Sequence, residues 1–258
     1  MTIPALRVGP VRVHDLGFEP AAQEVLRLAE TNVGERAVVV TPNGQHLDLL
    51  RRDRALMTAY NRAELVLPDG WPVVLAMKWL GAKAGCRVTG ADLLPALCAE
   101  AAARGDTVGF IGGKPGVAAR AANELVRRLP ELKVELVHSP PLGFERDEDL
   151  CRELVELVEM SGVQLLFVGL GAPKQELFAD RWLRGTDRGV SVCIGAAIDF
   201  VAGEQTRAPE LWRKLGAEWL YRMLREPRRL AGRYARSVPV VLRVLSGAAV
   251  TRLLGGRR

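Results

Sequence analysis

One carboxylate stands out. In Leu65-Val66-Leu67-Pro68-Asp69-Gly70-Trp71-Pro72-Val73-Val74 a lone acid separates two apolar runs. Pro-Asp-Gly has the composition of a plain turn. The apolar flanks give it a second reading, because a partly desolvated carboxyl holds its proton more tightly and is a better base toward a hydroxyl. Three other loop stretches are unusual and together favour a nucleotide site: Thr41-Pro42-Asn43-Gly44, Gly112-Gly113-Lys114-Pro115-Gly116, and Gly169-Leu170-Gly171-Ala172-Pro173-Lys174-Gln175-Glu176. In the last two, glycines let the backbone approach a ligand, and the helix start that follows offers unpaired N–H groups. Neither has the spacing of a Walker loop or of a dinucleotide fingerprint, and glycine-rich turns of this kind also serve structure alone. A fourth stretch, residues 218–230, alternates aromatic and aliphatic residues with Arg222, Arg225 and Arg229. A guanidinium fork suits diphosphate oxygens, whereas the plain alternative is a solvated basic face.

The elements that must position these groups follow from hydrophobic period. Short β-rich runs at 37–41, 65–67, 107–111, 134–137, 164–168 and 190–194 alternate with helical patterns, including one over 46–60. Strand, loop and helix in repetition predict an α/β fold: a Rossmann-like, mostly parallel sheet with helices on both faces. In such sheets ligands sit beyond the carboxyl ends of the strands, where Asp69 and the three loops fall. Asp147-Glu148-Asp149 opens a helical pattern over 147–160, so these acids read as complements to a helix dipole rather than as metal ligands. His46 and Asp48, after the Thr-Pro-Asn loop, read as helix surface or as ligand contacts.

The 258 residues carry a net charge of +6, yet residues 205–258 hold 13 Lys/Arg against 3 Asp/Glu, so the remainder is mildly acidic. This predicts a Rossmann-like domain over 1–204 and a basic helical appendage over 205–258 that faces phosphates, anionic lipid or nucleic acid. No RNA- or DNA-binding signature accompanies the charge, so nucleic acid is not expected as a partner. The four cysteines form no Cys-x-x-Cys pair and the three histidines are scattered, which predicts reduced thiols and no metal cage. With no signal-peptide pattern and no apolar run of spanning length, the expectation is a cytoplasmic protein. The tail over 237–258 has three readings: flat on a membrane surface, packed on the body, or frayed.

Taken together and in order, Thr41-Pro42-Asn43, Leu67-Pro68-Asp69-Gly70, Arg87-Val88-Thr89-Gly90-Ala91-Asp92, the 112–116 loop, Pro140-Pro141-Leu142-Gly143-Phe144, the 168–176 loop, the 195–203 segment, Arg207-Ala208-Pro209 and Glu218-Trp219-Leu220-Tyr221-Arg222 resemble the WecG/TagA/CpsF glycosyltransferases. The resemblance runs from about Val38 to Tyr234. It implies an inverting, metal-independent transferase without a cofactor. Such an enzyme moves N-acetylmannosamine, a uronic acid or a hexose from a UDP donor to a polyprenyl-diphosphate-linked saccharide during cell-surface polymer synthesis. By the same resemblance Asp69 is the base, and Thr41 and Asn43 belong to the sugar pocket. Arg87, Asp92, Gly112, Gly113, Lys114, Gly171, Lys174, Gln175 and Glu176 lie in substrate-binding motifs. Arg222, Arg225 and Arg229 belong to a segment that closes the site and meets an anionic membrane on the inner face of the cell membrane. Homo-oligomerisation stays open. The competing readings are a nucleotide-dependent oxidoreductase and a non-catalytic basic docking module.

Overall fold

The computed structural model describes residues 3–255 apart from 33, 215 and 226; the side chains of 213, 214, 222, 229–231, 233, 234, 254 and 255 are also outside the described set. The chain begins with an antiparallel hairpin, β1 (Ala5–Val8) and β2 (Val11–His14), then α1 (Phe18–Thr31) and β3 (Ala37–Val40). Next come α2 (Gly44–Arg52), α3 (Arg54–Arg62), β4 (Leu65–Val66), α4 (Trp71–Trp79) and α5 (Gly90–Arg104). β5 (Thr107–Gly112), α6 (Val117–Arg128), β6 (Lys133–His138), α7 (Glu148–Ser161), β7 (Leu165–Gly169), α8 (Lys174–Phe178), β8 (Val190–Cys193) and α9 (Ala197–Val201) complete the α/β body. α10 (Glu210–Lys214), α11 (Glu218–Arg225) and α12 (Pro227–Gly255) follow.

Six strands form one parallel sheet in the order β4-β3-β8-β7-β5-β6. Period-2 alternation divides its side chains between two cores. Ala37, Val39, Leu165, Phe167, Val190 and Val192 face the layer of α1, α5, α6 and α9. Val38, Val40, Leu166, Val168 and Cys193 face the layer of α2, α3, α4, α7, α8 and the hairpin. Both faces are covered, which explains why β3 reads as the continuous apolar run Ala-Val-Val-Val and is buried throughout. Each fully buried Val or Leu contributes roughly 1.5–3 kcal/mol.

Two features differ from the sequence expectation. The helix read over 46–60 is two helices, because Asp53 takes an extended conformation (φ −113°, ψ 106°) and caps α3 by accepting the Leu56 N–H at 3.0 Å. The hairpin has no counterpart in that reading; it covers the outer strand, where His14 Nδ1 accepts the Val66 N–H at 2.9 Å. The tail resolves in favour of packing on the body: Val240 and Ala248 of α12 are buried with Val8, Leu47 and Val73, and Val241, Val244 and Leu245 lie against them.

At the opposite end of the sheet from the loops described below, Arg36 is 2% exposed and binds the strand starts together. Its Nε donates to Thr186 Oγ1 at 2.8 Å and its Nη2 to the Val163 carbonyl at 2.8 Å. Burial lowers its guanidinium to about 10, which still leaves it charged at neutral pH. Arg36→Met keeps the length but removes both donors, leaving a buried carbonyl and a hydroxyl without them. The expected loss is about 2–4 kcal/mol, read as a lower urea midpoint at pH 7.5.

Candidate active site

The strands β3 and β8 are neighbours, yet α2 leaves β3 toward one face and α9 leaves β8 toward the other. The carboxyl ends of the two therefore diverge and open a crevice, the place where ligands bind in sheets of this type. A cleft of about 450 Å³ lies there. The loops after β3, β4 and β8 form its floor, through Thr41, Asn43, Asp69 and Gly195, joined by Arg87 from the segment between α4 and α5. Trp71 of α4 and Val238, Val241 and Leu242 of α12 form an apolar wall. Polar groups converging beneath an apolar cover are the general signature of a small-molecule site.

Local bonding fixes the floor. Asp69 and Gly70 donate their N–H groups to the Pro42 carbonyl at 3.1 and 3.3 Å, holding the loop after β4 against the loop after β3. Thr41 Oγ1 donates to the Cys193 carbonyl at 3.0 Å, joining the ends of β3 and β8. Asn43 caps α2: its Oδ1 accepts the Gln45 N–H at 3.0 Å. Gly90 starts α5 so close to β8 that a Cβ there would lie 2.6 Å from Ile194 Cα. Without a side chain at this position the Arg87–Thr89 segment can line the cleft.

Behind the floor lies a buried polar set. Glu176, 0% exposed, accepts from Gln175 Nε2 at 2.7 Å, and His46 Nε2 lies 3.1 Å from the same Oε1. Gln175 Oε1 accepts the Gly195 N–H at 3.1 Å. On its other edge His46 Nδ1 faces Asn43, 3.0 Å from its Oδ1 and 3.3 Å from its main-chain nitrogen, so one imidazole bridges Glu176 and the loop after β3. The loops after β3, β7 and β8 thus share one anchor.

Asp69 is the cleft's carboxylate. Its side chain is 27% exposed, and that exposure opens into the cleft. Burial pushes its carboxyl up to about 6; Arg87 and His46 oppose the rise, and Glu218 and Asp92 add to it. Arg87 lies alongside: its Nε donates to the Asp69 carbonyl at 2.7 Å and is 3.9 Å from Oδ1, while its Nη2 donates to Glu218 Oε2 at 2.6 Å. A carboxylate whose proton affinity sits just below neutrality, next to a guanidinium, is equipped to take a proton from a hydroxyl while a cation receives an anion.

The residues singled out in the sequence divide into two groups. Thr41, Asn43, Asp69, Arg87 and Gln175 line the cleft. Glu176 stands directly behind it. Asp92 is turned away: it shares hydrogen bonds with Thr89 and pairs with Arg207 Nη1 at 2.7 Å. Gly112 serves packing, since a Cβ would lie 2.3 Å from the Gly169 carbonyl oxygen of the neighbouring strand. Gly113 and Gly171 hold left-handed turns at φ 71° and 77° outside the cleft lining. Lys114 and Lys174 are also outside it, 3.5 Å from Glu204 and 4.0 Å from Glu145. Arg225 lies over the Tyr221 ring at 5.5 Å. The side chains of Arg222 and Arg229 lie outside the described residues. Asp147 caps α7, accepting the Asp149 and Leu150 N–H groups at 3.0 and 3.3 Å, and Asp149 pairs with Arg152.

The cleft also holds groups that the sequence reading did not assign: Glu218, Thr89, Gly195 and the α12 residues Ser237, Val238, Val241 and Leu242. His46, left undecided between surface and ligand contact, is 4% exposed and is a bonding partner of the loops. For Glu218 the one available signal was its place at the head of the Glu-Trp-Leu-Tyr-Arg motif.

Residues 6–253 match the Glycosyl transferase WecG/TagA/CpsF family, and the chain belongs to it. Membership implies a glycosyltransferase of cell-surface polymer synthesis, which favours transfer chemistry over nucleotide-dependent oxidation and over passive docking.

The raised proton affinity of Asp69 has a thermodynamic counterpart. The folded carboxyl titrates near 6 and the unfolded one near 3.8, so the stability it confers when protonated is lost as pH rises through about 6. Asp69→Asn is therefore expected to stabilise the fold at pH 8, by at most about 3 kcal/mol because cleft water screens part of the charge, and to leave it nearly unchanged at pH 4. Thermal melts at the two pH values check this.

Proposed function

We propose that this family member moves a sugar from a UDP donor to a saccharide carried on a polyprenyl diphosphate, with inversion at the anomeric carbon, and that Asp69 is the base. The observation that carries the reading is the Asp69 carboxyl at the end of β4, enclosed in the cleft with its proton affinity raised to about 6 and Arg87 beside it. In the reaction, Asp69 Oδ takes the proton of the acceptor hydroxyl. The freed oxygen attacks the anomeric carbon from the face opposite the nucleotide, and the bond from that carbon to the β-phosphate oxygen breaks. The electron pair leaves on UDP. Arg87 receives the developing diphosphate charge, with Arg222, Arg225 and Arg229 as further cations from the C-terminal segment. Thr41, Asn43 and Gln175 orient the sugar.

Residues 205–258 act in this proposal as a lid and as the contact with an anionic membrane surface. α12 already roofs the cleft with Val238, Val241 and Leu242. Val238, Leu242, Val250 and Leu253 are also exposed to 46%, 61%, 54% and 73%, and Arg236, Arg243 and Arg252 share the helix with them. No described helix is long and apolar enough to cross a membrane. An apolar and cationic surface of this kind suits insertion at headgroup level. Which sugar moves is left to the donor panel.

Incubation with a panel of UDP-sugars and a polyprenyl-diphosphate saccharide, followed by mass and anomeric analysis of the lipid product, tests the assignment. Asp69→Asn is expected to lower turnover roughly 10²–10⁴-fold while UDP binding persists. In the wild type, kcat/KM is expected to rise with pH through about 6 to a plateau, since the ionised carboxylate is the active form. Full turnover in Asp69→Asn removes Asp69 from the role. For the membrane contact, Leu242→Glu with Leu253→Glu is expected to lower sedimentation with phosphatidylglycerol vesicles several-fold at an unchanged melting temperature.

A further inference from the structure

Asp69, Arg87 and Glu218 line the cleft, Arg207 and Asp92 pair just outside its lining, and Glu218 and Arg207 come from the C-terminal segment. Asp69 and Asp92 belong to the body. Arg87 lies between the Asp69 loop and Glu218, with Nε 3.9 Å from Asp69 Oδ1 and Nη2 2.6 Å from Glu218 Oε2. Arg207 pairs with Asp92 at 2.7 Å and also feels the charges of Glu218 and Asp69. The order of signs is acid, base, acid, base, acid, and its centre is Glu218.

The placement of Glu218 is built rather than incidental. Gly216, two residues before it, lies flat on the Trp71 indole: a Cβ there would be 2.6 Å from Trp71 Cγ. Trp71 follows Asp69 by two positions, so the segment seats itself next to the base. Glu218 opens α11, where an acid also complements the helix dipole. That role explains an acid at this position but not its pairing with a residue of the cleft 131 positions away. With side chains 22% and 15% exposed, Arg87 and Glu218 are neither a solvated surface pair nor a fully desolvated one.

We propose that Glu218 is a positioning residue for the reaction: the C-terminal segment, on docking, supplies the carboxylate that anchors the Arg87 guanidinium and offsets its charge, and so sets the base strength of Asp69. The inference rests on Asp69 being the base. Its physical content is a competition for one cation. Arg87 alone stabilises the ionised form of Asp69; with Glu218 on its other edge, part of that stabilisation is cancelled, and the Asp69 carboxylate is a stronger base as a result. The charged or titratable groups facing Asp69 are Arg87, Glu218, His46, Asp92, Arg207 and Tyr60. Of these Glu218 and Arg207 belong to the C-terminal segment; Arg207 is paired with Asp92, which leaves Glu218 as the charge of that segment that strengthens the base.

The test is the pH dependence of kcat/KM for Glu218→Gln, which keeps the shape of the side chain and removes its charge, with UDP affinity by calorimetry and the melting temperature measured on the same protein. Removing the negative charge lowers the proton affinity of Asp69, so the acid limb is expected to move to lower pH, by roughly half a unit for a charge at this range in a partly solvated cleft. The plateau rate is expected to fall because the base is weaker, and UDP is expected to bind at least as tightly because one anion has left the site. Glu218→Ala, which also releases Arg87, is expected to show the same direction of shift with a larger loss of plateau rate. An acid limb that stays in place in Glu218→Gln, with UDP binding and melting temperature intact, overturns the proposal. A wild type that binds no UDP, or has no acid limb near pH 6, overturns instead the assignment of Asp69 on which it rests.

Discussion

Water is kept from most of one carboxylate, and much of the molecule is arranged around that constraint. Asp69 would be an ordinary solvated turn residue if the cleft were open above it. Trp71 of α4 and Val238, Val241 and Leu242 of α12 wall the cleft in which burial raises its proton affinity. That wall exists because α12 has a core of its own to join, through Val240 and Ala248. The floor is equally determined. Neighbouring strands send their helices to opposite faces, and the resulting crevice receives the Thr41, Asp69 and Gly195 loops. The Asp69 carboxyl, its cover and its neighbouring cation are consequences of a single topology.

Stability and the capacity to take a proton pull in opposite directions at this position. A carboxyl that prefers to be protonated in the folded state penalises folding once it ionises, and that same preference makes it competent to take a proton. Arg87 moderates the conflict, since it lowers the proton affinity while donating to the Asp69 main chain. Glu218 restores part of what Arg87 removes. The buried Glu176 acts elsewhere, holding Gln175 and His46 and through them the loops, with no described contact to Asp69.

The sheet was legible in the sequence because strands covered on both faces must be apolar at every position, as Ala37–Val40 is. The place of Asp69 followed from that, since a residue just past a buried strand lies at the ligand edge. The glycine loops were less informative. Gly112 proved to be needed where two strands nearly touch, a demand indistinguishable by composition from a phosphate-binding turn. Period could not reveal the break at Asp53, because a capping side chain interrupts a helix without changing its apolar spacing. Nor could it reveal that Arg87 meets Glu218, or that the last helix roofs the cleft. Those contacts depend on which elements become neighbours, and nothing local in either stretch records it. Arg236, Arg243 and Arg252 mark only the outer side of the last helix, whereas Val240 and Ala248 are carried into the core.

The central claim is that the Asp69 carboxyl, in the folded protein with its C-terminal segment in place, titrates far above an ordinary aspartate. Carbon-detected NMR of protein labelled at aspartate carboxyl carbons, with the Asp69 signal assigned by its absence in Asp69→Asn, measures this without reference to any substrate. The account predicts a midpoint of about 6. A midpoint near that of a solvated carboxyl, about 4, would contradict it.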